Sequence, residues 1–403
     1  MRVFLFVFTL LGCSNFINAQ WGDSVRVKSN IRTSLLSDIG SNSFTVQNYR
    51  DFNRSSFLSP AFKNEIIDGS AEKLRLGSRQ SFELAYRQLN DSVYSSWAKG
   101  FEINLSYNSV LGIASKRDVL KLILNGNSPY ASEVLDLAPT KYQRQDFLSI
   151  GFRLIEERKS WSWSYGLSAL FGTQFQDLNL ERGTLYTEES GSYLDLNTQY
   201  TYKSADTLNP IKGMGIGTGG SVNHLFNDQL SFGLELRDFG IIFWNNASYT
   251  IEADTSFRYS GELIPNVLDV SGSLFDDTQQ DLEDALLTKE GGSFIALTPF
   301  NLKANALYKH KNLGRLKSSE ALIEYVYTPG FQPLFRVNST WGFNRWTLSP
   351  DLSYGGFTGF GVGMRTNYET RYWQIGLHLF NAQGLILSSS KAIGAQLFFN
   401  YIF

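Results

Sequence analysis

Residues 397–403 read LFFNYIF, and the chain ends on Phe403. Chain ends ordinarily fray in water and are built from small polar residues, so an aromatic terminus must be anchored in something apolar. Taken at every second position, Phe403, Tyr401, Phe399, Leu397, Ala395 and Ile393 form one apolar face at the period of a strand. Asn400, Gln396 and Gly394 make the other face small or polar. The pattern is that of a strand with one side in lipid. It predicts that Phe399, Tyr401 and Phe403 are the C-terminal signal of the strand that closes a barrel.

The same alternation extends upstream. FEINLSYN (101–108) sets Phe101, Ile103, Leu105 and Tyr107 against Glu102, Asn104, Ser106 and Asn108. WSWSYGLSALFG (161–172), LSFGLELR (230–237) and WQIGLHLF (373–380) repeat it, the last with Gln374, Gly376 and His378 on its polar side. Further segments of this kind lie near 80–89, 146–156, 192–203, 212–224, 246–259, 294–308, 319–328, 332–343, 345–355 and 357–367. That is about fifteen candidates, and closed single-chain bacterial barrels take an even number. The expected fold is therefore an all-β, transmembrane antiparallel barrel of about 14 strands, within a range of roughly 12–16. Several segments alternate for ten or more residues, the length a membrane strand needs and about twice that of soluble strands. A soluble β-sandwich, the alternative, would need a second sheet over each apolar face. Trp161 with Trp163, Tyr325 with Tyr327, and Trp341 with Trp346 sit at strand ends, as the interfacial girdles of a barrel require.

Composition agrees. The 403 residues include 35 Gly, 31 Phe and 20 Tyr, yet mean hydropathy is only −0.19, as expected where apolar and polar positions alternate. The formal charge of −2 excludes the basic balance of a nucleic-acid binder. MRVFLFVFTLLGCSNFINAQ has the charge, apolar core and cleavage-region order of a secretory signal, assigned to residues 1–19. Its competing reading is a lipobox, Leu10-Leu11-Gly12-Cys13, with Cys13 lipidated. Cleavage after Ala19 removes the single Cys and Arg2, leaving 35 basic against 38 acidic side chains, −3. No later stretch holds about 18 consecutive apolar residues, so no helical span is expected. The chain is assigned to the cell outer membrane.

Residues 20–78 are weakly patterned and are read as an N-terminal plug or periplasmic segment, with the barrel at 79–403. SKRDVLKLILNGN (115–127) predicts a short helix capped by Ser115 and stopped by Gly126, and DDTQQDLEDALLTKE (276–290) predicts a second. If the first strand lies near 80, the insert after residue 109 falls on the side that normally carries short turns. Either an earlier strand exists, for instance NSFTVQNYR (42–50), or the insert enters the lumen.

Motifs for chemistry are weak. MGIGTGG holds Gly215, Gly217 and Gly220 at dinucleotide-loop spacing, but the strand-like alternation continues on both sides and no helix opens after it. His224, His310 and His378 are isolated and make no metal pattern, and no serine sits in a nucleophile elbow. No enzyme and no cofactor are expected. Charges inside strands say more: Glu102, Arg153, Glu235, Arg237, Glu324, Arg336 and Arg365 would each cost about 2–4 kcal/mol facing lipid near the midplane. They are therefore assigned to the lumen or a rim. Arg153, Glu235, Arg237, Asp238, Glu324, Arg336 and His378 are the lumen and strand-end candidates, serving either a solute path or structural neutralisation.

The stretches NGNSPYASEVLDLAPTKYQRQDFLSIGFR (125–153), SFLSPAF (56–62) and LELRDFGIIFW (234–244) resemble a family of outer-membrane barrels of Bacteroidota with no assigned activity. That family is similar in architecture to long-chain fatty acid transporter-like barrels. The resemblance implies about fourteen strands and an N-terminal plug, and brings no catalytic residues. Ser59-Pro60-Ala61 stands where the family has Asn-Pro-Ala. The expectation is a monomeric barrel in outer-membrane lipid, inserted by the barrel-assembly machinery, that binds or passes a small solute, a hydrophobic one among the candidates. The alternative is a non-conducting anchor that docks secreted or surface proteins.

Overall fold

The computed structural model describes residues 29–54, 58–89, 100–205, 210–260 and 288–403. The signal segment 1–19 with Cys13, and most of the helix expected at 276–290, lie outside the described residues. In chain order the strands are β1 (Ser29–Ser41), β2 (Lys73–Leu89), β3 (Gly100–Lys116), β4 (Val134–Asp136), β5 (Thr140–Glu157), β6 (Trp161–Thr187), β7 (Leu194–Ser204), β8 (Gly213–Leu225), β9 (Leu230–Trp244) and β10 (Tyr249–Tyr259). They continue as β11 (Thr288–Gly291), β12 (Phe294–Leu297), β13 (Asn301–Lys309), β14 (Leu316–Val326), β15 (Gln332–Phe343), β16 (Trp346–Gly356), β17 (Gly359–Glu369), β18 (Trp373–Phe380) and β19 (Ala392–Ile402). All lie in one antiparallel sheet that closes on itself: β19 pairs with β1 from Asn30 opposite Ile402 to Gly40 opposite Ala392.

These segments make a closed barrel of 14 passes. β7 and β8 form one descending pass, pairing with the upper and lower parts of the long β6. β9 and β10 form one ascending pass, and β11, β12 and β13 one descending pass with breaks. Upper β6, β7, β10 and β11 thus carry the wall beyond the rest of the barrel, with β4 added at the edge of β6. The fold is the architecture of outer-membrane β-barrels.

Period-two patterning places each side chain. Ile103, Phe152, Leu167, Ile216 and Phe335 are exposed on the outside, while Glu102, Asn104, Ser149 and Arg336 are buried within. On β19, Tyr401 and Phe403 are exposed and Asn400 and Phe398 are buried. Trp161, Trp341, Trp346 and Trp373 are exposed at the end where turns are short (158–160, 344–345, 370–372) and where β1 starts and β19 stops. Short turns mark the periplasmic side. The other end carries α1 (Val46–Arg54), α2 (Pro60–Gly69) and α3 (Arg117–Asn125). Ile66, Ile67, Leu120 and Leu124 of α2 and α3 pack with Leu74 into a small core over the rim. Ser59 caps α2 by accepting the Phe62 N–H, and Pro60 occupies its first turn, so the SPAF element is a helix start.

The boundary expected near residue 79 is corrected. β1 at 29–41 is a wall strand, paired along its length with β2 and β19. Its outward row, Ile31, Thr33, Leu35, Ser37 and Ile39, is diluted by hydroxyls, which hid the alternation. With β1 in place the insert after residue 109 lies at the extracellular end and the conflict over orientation disappears. Residues 42–50 are not that earlier strand: they are a turn and the start of α1. The fifteen candidates missed β1 and split two passes, and correcting both gives the fourteen passes of the barrel. β3 runs through Lys116, so Ser115 is in a strand and does not cap α3. Gly126 stops α3 as expected, at a φ of 74° that suits glycine.

Candidate functional site: a latched lumen and a break in its wall

The lower lumen is filled by paired charges. Arg79 on β2 meets Asp38 at 2.9 Å and Glu324 at 2.7 Å. β2 and β14 stand on opposite sides of the ring, so the second pair crosses the lumen. Arg237 binds Glu235 at 2.5 Å and reaches Glu83 on β2 at 3.4 Å. Arg32 pairs closely with Glu102, which Arg153 approaches at 3.6 Å. Arg336 lies 3.3 Å from Asp351, whose other oxygen is 3.0 Å from His378 Nε2, and Arg365 stands 3.5 Å from His378 Nδ1. Between these groups lie cavities of about 130 Å³ in the centre and about 90 Å³ nearer the periplasm, both lined by Lys303.

Arg153, Glu235, Arg237, Glu324, Arg336 and His378 all line or adjoin this lumen, with Glu102 and Arg365. Asp238 differs. It sits at a φ of 56° where the wall bulges. Arg32, Arg79, Glu83, Arg87, Lys303 and Asp351 were missed by the sequence reading, although each shares the parity of the polar face of its strand. The MGIGTGG glycines belong to β8, where Gly213, Gly215, Gly217 and Gly219 face inward opposite Gly172, Leu170, Ser168 and Gly166. They make room for Ile242 and Trp244, whose atoms a Cβ at Gly213 would meet.

The upper lumen is apolar in two lobes. In one, Phe147, Leu170, Phe175, Ile242 and Trp244 pack together, with Phe294 and Ala296 against them. Gln145 beside them is fully buried, and neither its amide nor the Trp244 indole N–H has a hydrogen-bond partner among the described residues. In the other, two turns fold inward. Gly40, Gly77 and Gly112 stand in register across β1, β2 and β3. A Cβ at these positions would run into Thr358, Phe357 and Thr328 respectively, so the glycine row is a trench that receives the turns 327–331 and 357–358. Phe331 and Phe357 meet edge to face at 5.1 Å, and the Arg79 guanidinium lies 5.2 Å from the Phe331 centroid.

Beside the first lobe the wall is broken on three consecutive passes. The β8–β9 ladder shifts register between Thr218 and Gly220, β9 bulges at Asp238, and residues 298–300 interrupt β12 and β13. Thr298 bridges the gap: its N–H donates to the Gly240 carbonyl at 2.9 Å, its hydroxyl accepts the Gly240 N–H at 3.0 Å, and that hydroxyl donates to the Asp238 carbonyl. Just outside, Phe239, Phe300 and Tyr327 form a ring chain at 5.3 and 5.2 Å.

Comparison with solved structures finds similar barrels. A FadL homologue of Pseudomonas aeruginosa is 10% identical, over 94% of this chain and 91% of that one, with a TM-score of 0.45. The toluene transporter TodX of Pseudomonas putida is 8% identical over 93% and 89%, at 0.43, and the toluene transporter TbuX of Ralstonia pickettii 9% over 94% and 90%, at 0.44. No protein-family profile matches the chain, and no curated protein matches it in sequence.

Proposed function

We infer that the protein is an outer-membrane barrel that moves a small apolar solute between its upper lumen and the wall break. The supporting observation is the juxtaposition at the break: the Leu170–Ile242–Trp244 core inside and the Phe239–Phe300–Tyr327 rings outside, separated by the Thr298 bridge. An apolar solute gains nothing by continuing downward, where it must part buried ion pairs at about 3–5 kcal/mol for each partner lost. Sideways it needs only the hydrogen bonds of Thr298, about 1 kcal/mol each. The barrel is monomeric on this reading, and Phe399, Tyr401 and Phe403 serve its insertion by the assembly machinery.

Proteoliposomes separate this from a sealed docking anchor, which the projecting β6–β7–β10–β11 sheet favours. A fluorescent apolar probe should transfer faster into vesicles holding the protein than into empty ones, and faster still with Thr298→Val, while ion conductance stays near background. Transfer no faster than into empty vesicles leaves the docking reading in place.

A further inference from the structure

The periplasmic turn between β13 and β14 lies in YKHKNLGRLK (308–317), which holds Lys309, Lys311, Arg315 and Lys317, with His310 and no acid. Lys311, Arg315 and Lys317 are exposed. Among the described residues, Asp228 meets the turn from a neighbouring element, 3.5 Å from Lys311. Arg315 is steadied over the Phe343 ring at 5.0 Å, and Lys317 donates to the Gly314 carbonyl.

On the same two strands, toward the membrane centre, the outer face turns small. Phe232, Ala306, Ala321 and Val337 form one cross-strand row, and Leu234, Ala304, Ile323 and Phe335 the next. The three alanines between larger neighbours leave an open apolar groove of about 690 Å³. Periplasmic of the groove the outer face carries Tyr308 opposite Ser319, whose hydroxyl is 2.9 Å from His310 Nε2, and the Tyr308 ring meets His310 edge to face at 5.1 Å. From Ala306 to His310 is four residues, about 14 Å of strand, close to the roughly 15 Å depth of one hydrocarbon leaflet. The cationic turn therefore lies about one leaflet's depth from the groove, with Tyr308 between them.

We propose that this face binds an anionic glycerophospholipid of the periplasmic leaflet. One acyl chain lies over Ala304, Ala306 and Ala321, and the phosphate meets Lys311, Arg315 and Lys317. A second copy of the chain fits poorly, because a two-fold contact would set like charges against each other. The site lies on the outer surface, so it stands or falls separately from the solute route.

Native mass spectrometry of the full chain, offered equal phosphatidylglycerol and phosphatidylethanolamine in micelles, tests it. The protein should retain the anionic lipid about fivefold more, a preference of the size that one or two interfacial cations confer. Lys311→Gln/Arg315→Gln/Lys317→Gln should bring the two lipids to parity, and Ala306→Phe/Ala321→Phe should reduce retention of both. Millimolar inorganic phosphate should displace neither. Equal retention by the unaltered protein, an undiminished preference in the triple variant, displacement by free phosphate, or a dimer in place of lipid adducts overturns the proposal. Heat-modifiable gel mobility confirms closure of each variant; if the triple variant fails it, Arg315→Gln alone must lower the preference at least twofold.

Discussion

Arg79 holds two walls together. Its guanidinium satisfies Asp38 beside it and Glu324 across the lumen, and it also covers the Phe331 ring. Such a pair contributes little net stability against a well-packed apolar substitute, since desolvation offsets the attraction, yet losing one partner strands a buried charge. The side chains of Arg79 and Glu324 are 9% and 6% exposed, so water screens them weakly. Glu324→Gln keeps the shape and the Asn301 hydrogen bond but removes the charge. It should lower unfolding free energy in micelles by roughly 3 kcal/mol. The triple variant Asp38→Asn/Arg79→Met/Glu324→Gln, which leaves none of the three charges stranded, should recover most of that loss. Urea denaturation of the three singles and the triple gives the coupling; additive losses would show that the latch lies elsewhere.

At the scale of elements, α3 illustrates how the extracellular cap is tied to the barrel. Asp118 in its first turn accepts the backbone N–H of Asp136 on β4 and pairs with Lys121 at 2.8 Å. Partial burial pushes its carboxyl up, but the Lys121 ammonium and the Asp136 N–H outweigh this and hold it below the usual carboxylate range. A carboxyl depressed in the folded state stabilises above its unfolded value and loses that contribution as pH falls through its folded value. The α3–β4 tie should therefore be constant from neutral pH down to about 5, then weaken in more acid solution. Protection of the Asp136 amide against hydrogen exchange, corrected for the intrinsic rate, should fall there, and Asp118→Asn should show the weakened tie already at neutral pH. A pH-independent protection factor would assign the tie to packing alone. This element was legible in outline: Gly126 gave the stop, whereas the true start at Arg117 depended on how far β3 climbs, which only its pairing with β2 and β5 decides. Lumen charges were legible where apolar neighbours framed them, as at Arg153 and Glu324. They were hidden at Arg32 and Arg79, where the flanking row is interrupted by serine and threonine. The glycine trench had no local signal, because Gly40, Gly77 and Gly112 come together only through register.

At the scale of the whole molecule, closure is a property of two ladders that share β1. A barrel abolishes its sheet edges only if the last strand finds the first. Here β19 pairs with β1, not β2, over eleven registered positions from Asn30 to Gly40. An N-terminal plug can be removed and leave a wall behind; a closing strand cannot. Deleting residues 29–41 would expose unpaired N–H and C=O groups on both β2 and β19, each costing several kcal/mol in hydrocarbon. Direct β2–β19 pairing would have to shrink the ring to an odd number of passes, bringing side chains from opposite walls into a lumen already filled by Arg79, Glu324 and Phe357. The expected result is complete loss of heat-modifiable gel mobility on deletion of 29–41, with insoluble protein. Replacing only the outward Thr33 and Ser37 by valine should leave mobility intact and raise the urea midpoint. A deletion variant that still folded as a heat-modifiable barrel, with ion conductance now open, would restore the N-terminal segment to the role of a plug.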